Sequence, residues 1–225
     1  MGTSDILKHS TTYYSAFNHM KKLPKKIAID VAILPPSDVM ERLISINRQA
    51  ATKNAAWGLL AKDDFLPHMS LVMGGVESES LETVRSIVEE IVKKAKPIPV
   101  ELNELFYAEK KDGSRIYAIR AKNTPELQQL HESLMNGLRQ YFSYDSTKES
   151  LYSKSGEKVT EPDYINKFLE SYSFEAYDPH ITIRTKKPMG QEDLPLKFIA
   201  TQVAACHVGI MTTCRKKLFT VKLAG

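Results

Sequence analysis

Cysteine is nearly absent, with Cys206 and Cys214 the only two in 225 residues. So few exclude a disulfide-built scaffold, and their spacing fits no metal-ligand pattern, so both are expected as reduced thiols. No apolar run approaches the roughly 20 residues of a membrane-spanning helix. The opening residues, MGTSDILKHSTTYYSAF, lack the basic start and long apolar core of a secretory signal. Ile6 stands where N-myristoylation takes Ser or Thr. A cytoplasmic protein with no membrane attachment is expected. Also missing are a Gly-rich phosphate loop, a nucleotide-binding Lys motif, and any His/Asp/Glu cluster at ligand spacing. Neither a metal nor an organic cofactor is therefore expected. Charge of one sign is scarce too: 31 Lys and Arg against 27 Asp and Glu leave +4. Lys21–Lys22, Lys25–Lys26, Lys93–Lys94, Lys186–Lys187 and Arg215–Lys216–Lys217 form local basic clusters. These permit a polyanionic ligand without arguing for one.

What is present is a soluble-globular balance, 42% hydrophobic and 26% charged, with alternating strand and helix periodicity. Residues 27–34, IAIDVAIL, read as a strand stopped by Pro35 and Pro36. Ser37 then reads as the N-cap of a helix to about 51, with Val39, Leu43 and Ile46 on one stripe. A second strand is expected over about 65–73, closed by Gly74–Gly75, and a helix over 81–95 capped by Ser80. Strands at about 99–108 and 115–121 flank a Lys-Lys-Asp-Gly turn, a hairpin signal. Thr124–Pro125 opens a helix to about 142. Short strands follow at about 180–185, 202–212 and 217–223. The polar stretch at about 143–179 is long for a connection. It reads as a surface excursion or as a flap over a site, with a short helix near 161–171.

His-x-Ser/Thr occurs at four of the six histidines: His9, His68, His131 and His180. His9 lies in a polar stretch without periodicity. His131 falls inside the helix at 125–142, where residues two apart point about 200° from each other, so it reads as a packing or surface histidine. His68 and His180 differ. They stand in FLPHMSLVMGG and YDPHITIRTK, short β-favouring runs with Pro directly before each His. In a strand, residues i and i+2 share a face about 6.5–7 Å apart. His68 therefore joins Ser70, His180 joins Thr182, and two imidazoles with two hydroxyls can converge on one anion. Histidine titrates near neutrality. In-line displacement at phosphorus needs a base on the entering oxygen and an acid on the leaving one. Hydroxyls can steady the non-bridging oxygens.

The doubled apolar-His-x-Ser/Thr motif resembles that of the two-histidine (2H) phosphoesterases, in particular the LigT-like, 2′-5′ RNA ligase-like group. The resemblance implies an α+β, bilobal LigT-like fold: two antiparallel sheets, flanking helices and a central cleft. It makes residues 1–225 one two-lobed domain, with about 143–179 as an addition. It implies His68 and His180 as the catalytic pair and Ser70, Thr182 and Arg184 as phosphate holders. Trp57, Tyr107 and Tyr177 are candidates for base stacking, with Tyr117 beside them. The implied substrates are 2′,3′-cyclic phosphates, 2′-5′ linkages, and cyclic or linear oligoribonucleotides, so RNA or nucleotides are the expected partners of a monomer. A nucleotide-binding module that has kept the cleft but lost turnover is the alternative. An ATP-independent ligase running the reaction in reverse is another. A metal hydrolase has the least support.

Overall fold

The computed structural model describes residues 23–50, 59–109, 113, 115–183 and 194–225. Eight strands form one antiparallel sheet in the order β6-β3-β4-β5-β2-β1-β7-β8. The strands are β1 (Lys26–Ile33), β2 (Met69–Glu77), β3 (Ile98–Glu109), β4 (Arg115–Ala121), β5 (His180–Thr182), β6 (Leu196–Ala200), β7 (Gln202–Gly209) and β8 (Thr213–Lys222). The helices are α1 (Ser37–Ala50), α2 (Leu81–Val92), α3 (Pro125–Leu138), α4 (Asp163–Asn166) and α5 (Phe168–Ser171). Among the described residues no helix is long and apolar enough to cross a membrane.

Two separate sheets were expected; the described strands instead join into one. The join is narrow. β5 pairs with β4 over three residues but with β2 only through Met69 and Ile181. Pro179 has no amide hydrogen to offer the ladder, and β5 begins directly after it at His180. The seam between the two four-stranded halves thus falls at the two His motifs. Asn47, fully buried on α1, ties the end of β5 to the segment that leads into β2. Its side-chain amide donates to the Ile183 carbonyl at 2.7 Å, and its carbonyl accepts from the Leu60 amide at 3.0 Å.

β2 also departs from expectation, running Met69–Glu77 instead of 65–73. Gly74 and Gly75 lie inside it because the chain after α3 crosses here at close range. A Cβ on Gly74 would stand 2.5 Å from the Phe142 ring. Gly75 exchanges backbone hydrogen bonds with Ser143 at 2.8 and 2.9 Å. α3 starts where expected, with the Thr124 hydroxyl accepting from the Leu127 amide at 3.3 Å. It ends earlier than expected, at Leu138. Ser80 occupies the α2 N-cap without a side-chain cap bond.

Residues 143–179 are not a surface excursion. Leu151, Ile165, Phe168 and Tyr177 are buried in the main core. The Tyr152 amide donates to the Val208 carbonyl at 2.7 Å, and the Ser150 carbonyl meets His207 Nε2 at 2.9 Å. Arg215, one of the residues in the basic cluster 215–217, is buried and paired with Asp64 and Glu157. Lys154 reaches Asp64 at 2.7 Å. Deleting 147–160 therefore strips partners from a buried guanidinium and a buried histidine. Loss of the cooperative thermal transition is expected, whereas a shortened protein that melts near the parent temperature would return the segment to the surface.

Candidate active site

The four motif side chains meet. His68, Ser70, His180 and Thr182 line one cavity of about 190 Å³ at the β2–β5 seam. Ser70 lies opposite Ala32 on β1, and His180 and Thr182 lie opposite Arg120 and Ala118 on β4. Of these facing residues, Ala118 lines the cavity with a short side chain.

Both histidines are held by the same local device. His68 Nδ1 lies 2.6 Å from the carbonyl of Leu66, and His180 Nδ1 lies 2.8 Å from the carbonyl of Asp178. Each bond reaches back two residues across a proline, Pro67 or Pro179. A carbonyl only accepts, so Nδ1 carries the hydrogen in both rings and Nε2 is the nitrogen that exchanges protons. The X-Pro-His sequence is therefore also a tautomer-setting device. Asp178 is itself fixed: its carboxylate accepts from Arg120 Nε at 2.8 Å, and Arg120 Nη1 reaches Glu104 at 2.7 Å.

One acid joins the site that motif reading passed over. Asp30, in the middle of β1, has no solvent exposure. Ala32 pairs with Ser70, so Asp30, two residues earlier, lies on the same face. Its Oδ2 accepts from the Ser70 hydroxyl at 2.7 Å and lies 3.4 Å from His68 Nε2. Burial pushes its pKa up to about 7, partly offset by the hydrogen bonds from Ser70 and Cys214. The signal was legible: a lone acid in the apolar run IAIDVAIL.

The aromatic expectations need correction. Tyr107 pairs with Tyr117, one register step from the row Phe106–Ala118–Thr182, so both tyrosines point to the opposite face of the sheet. Tyr107 carries the Arg115 guanidinium 4.2 Å from its ring centre. Tyr177 is buried, stacks on His131 at 4.0 Å and donates its hydroxyl to the Ser70 carbonyl at 3.1 Å. It braces β2 and lies away from the cavity wall. The aromatic residues that do line the cavity are Phe106 and Tyr164. Phe106 stands edge-on to His180, with ring centres 5.4 Å apart. Trp57 and Arg184 lie outside the described residues.

His131 is the packing histidine expected of its helix. It is fully buried, with Nδ1 at 2.6 Å from the Leu71 carbonyl and Nε2 accepting from the Phe174 amide at 2.8 Å. Burial lowers its pKa, so it stays neutral. A folded-state value below the unfolded one means the neutral ring's contribution is complete above about pH 6.5 and is lost as the pH falls. His131→Ala removes a stacked ring and leaves the buried Leu71 carbonyl without its partner on this helix, and is expected to cost about 2–4 kcal/mol in denaturant unfolding. A change below about 0.5 kcal/mol would deny it this structural role.

No spacing in the sequence suggested metal ligands. Among the described residues, however, donor atoms of Asp30, His68 and Cys214 lie within 4.8 Å of one another. Cys206 and Cys214 are both buried and unbridged.

Residues 61–204, more than half of the chain, match the 2′-5′ RNA ligase superfamily. Among solved structures, TT0787 of Thermus thermophilus is similar at a TM-score of 0.55 and 14% identity, over 88% of this chain and 99% of that one. E. coli LigT complexed with 3′-AMP is similar at a TM-score of 0.55 and 14% identity, over 90% and 100%. The E. coli LigT complex with phosphate gives a TM-score of 0.53 at 14% identity, over 90% and 100%. These likenesses establish the mixed α+β, LigT-like fold. A comparison with curated protein sequences finds no match.

Proposed function

The chain belongs to the 2′-5′ RNA ligase superfamily, and from that premise we propose that it is a metal-independent phosphodiesterase acting on ribonucleotides. Its substrates would be 2′,3′-cyclic phosphates, 2′-5′ linkages, or cyclic and linear oligoribonucleotides. One observation carries the reading: two histidines with the same Nδ1 anchoring line one cavity together with Ser70 and Thr182.

In opening a 2′,3′-cyclic phosphate, one Nε2 removes a proton from water as its oxygen bonds to phosphorus. The other Nε2 gives its proton to the ribose oxygen as that P–O bond breaks. Ser70 and Thr182 serve the non-bridging oxygens, where charge builds in the transition state. Phe106 and Tyr164, in place of Tyr107 and Tyr177, are the proposed aromatic walls for a base. That E. coli LigT has been solved with 3′-AMP and with phosphate agrees with a cavity suited to ribonucleotide phosphates.

The test is product analysis over 2′,3′-cyclic nucleotides, 2′-5′ oligoadenylate and cyclic dinucleotides, with chelator present throughout. Turnover of at least one class to a single regioisomer is expected. Joining of 2′,3′-cyclic and 5′-hydroxyl ends without net hydrolysis would favour ligation. Activity lost on chelation and restored by a divalent ion would refute metal independence.

A further inference from the structure

Ser70 has one hydroxyl hydrogen, and in this structure it is donated to Asp30, not into the cavity. While Asp30 is ionised, Ser70 therefore presents lone pairs to any arriving phosphate. Asp30 is poorly served as an anion. It is fully buried, its Oδ1 has no hydrogen-bond partner, and the Cys214 thiol donates to Oδ2 only at 3.8 Å. Once protonated, Asp30 can donate its own hydrogen to Ser70 Oγ, and the serine hydrogen can turn outward.

We propose that Asp30 is a positioning residue that takes up one proton from solvent when an oxyanion enters the cavity, and so turns the Ser70 hydroxyl from Asp30 onto the anion. The identity of that anion as a substrate phosphate rests on the phosphoesterase reading. The proton returns to solvent when the anion leaves.

The groups facing Asp30 suit this role. His68 Nε2 lies 3.4 Å away and is its one ion-pair partner among the described residues. Cys206, its register partner on β7, and Cys214 on β8 are buried thiols. Tyr164 of α4 and Tyr177 ahead of β5 have phenols whose ionisation is suppressed by burial and further by the Asp30 charge. With its pKa pushed up to about 7 by burial, the carboxyl gains a proton readily at neutral pH. A cation shared by Asp30, His68 and Cys214 is the competing use of the same atoms. Burial raises the Cys214 thiol well above its ordinary range, and a thiol must ionise to coordinate.

Sulfate, which does not titrate near neutrality, is the probe, added to the metal-stripped full chain. Infrared difference spectra are expected to show a protonated-carboxyl C=O band appearing with sulfate, present in the wild type and absent in Asp30→Asn. At pH 8, where Asp30 is mostly ionised before binding, calorimetry in buffers of different ionisation enthalpy should give about one more proton taken up per sulfate by the wild type than by Asp30→Asn. Between pH 6 and 8, wild-type affinity should fall roughly tenfold more than that of the variant, as one extra linked proton with a pKa near 7 requires. If Asp30→Asn does not fold, Ser70→Ala replaces it: sulfate is then expected to bind more weakly and without the carboxyl band. Sulfate binding weakened by His180→Ala but free of any carboxyl band would overturn the inference and leave the phosphoesterase reading standing. Failure of sulfate to bind in a His180-dependent way would overturn both. One zinc ion per chain, retained by the wild type and lost in Cys214→Ser, would also overturn the inference, because a metal-bound Asp30 stays ionised.

Discussion

His68→Ala and His180→Ala are each expected to lower turnover of a ribonucleotide phosphodiester at least ~100-fold, because each removes one of two proton-transfer partners. The fold should survive both changes. Neither ring is part of the main apolar core, and each has its Nδ1 tied to a carbonyl two residues back. Unchanged circular dichroism and a melting temperature within a few degrees check this. His131→Ala should show the reverse pattern, a marked loss of stability with far less loss of turnover per folded molecule. Ser70→Ala and Thr182→Ala should fall between, since each removes one donor among several. Near-normal turnover in either cavity-histidine variant would end the assignment.

The second large effect concerns the ribose 2′-oxygen. An acid and a base without a metal have limited means to drive free water against an unstrained diester. The site is therefore suited to substrates that supply their own help, either a neighbouring 2′-hydroxyl as nucleophile or a strained 2′,3′-cyclic phosphate as electrophile. Holding nucleophile and phosphorus in one molecule gives effective molarities that can reach about 10⁵ M or more, an advantage a free water forgoes. Matched ribo and deoxyribo substrates at one fixed salt concentration should therefore differ at least ~100-fold in kcat/KM, and aryl phosphodiesters should behave like the deoxy series. Equal rates in the two series would show that the 2′-oxygen plays no part.

The motifs were legible because their meaning is local. Pro-His-x-Ser/Thr in an apolar run sets the strand entry, the shared face and the Nδ1 bond within five residues. What stayed hidden depends on how strands lie beside one another. Tyr107 and Phe106 are neighbours in sequence, and only the pairing of β3 with β4 decides which one faces Thr182; a one-residue shift exchanges them. Asp30 stands out as a lone acid in its apolar run, but its place beside Ser70 shows only when β1 is laid against β2. The single sheet likewise hangs on one pairing, Met69 with Ile181. The core contributions of 143–179 were masked because Leu151, Ile165 and Phe168 are scattered among polar residues, with only four-residue helices to give them periodicity. β6 escaped notice as a five-residue edge strand whose exposed Ile199 breaks the expected alternation.

In this mechanism the two imidazoles act as one acid–base unit on a single phosphate. Turnover of a 2′,3′-cyclic nucleotide should be followed in one chelator-containing buffer for wild type, His68→Ala, His180→Ala and the double variant. Residues that act as a unit are strongly non-additive. Each single variant should lose at least ~100-fold, and the double variant should fall little further than the worse single one. Losses that multiply in the double variant, or a single variant that keeps wild-type turnover, would contradict the paired mechanism.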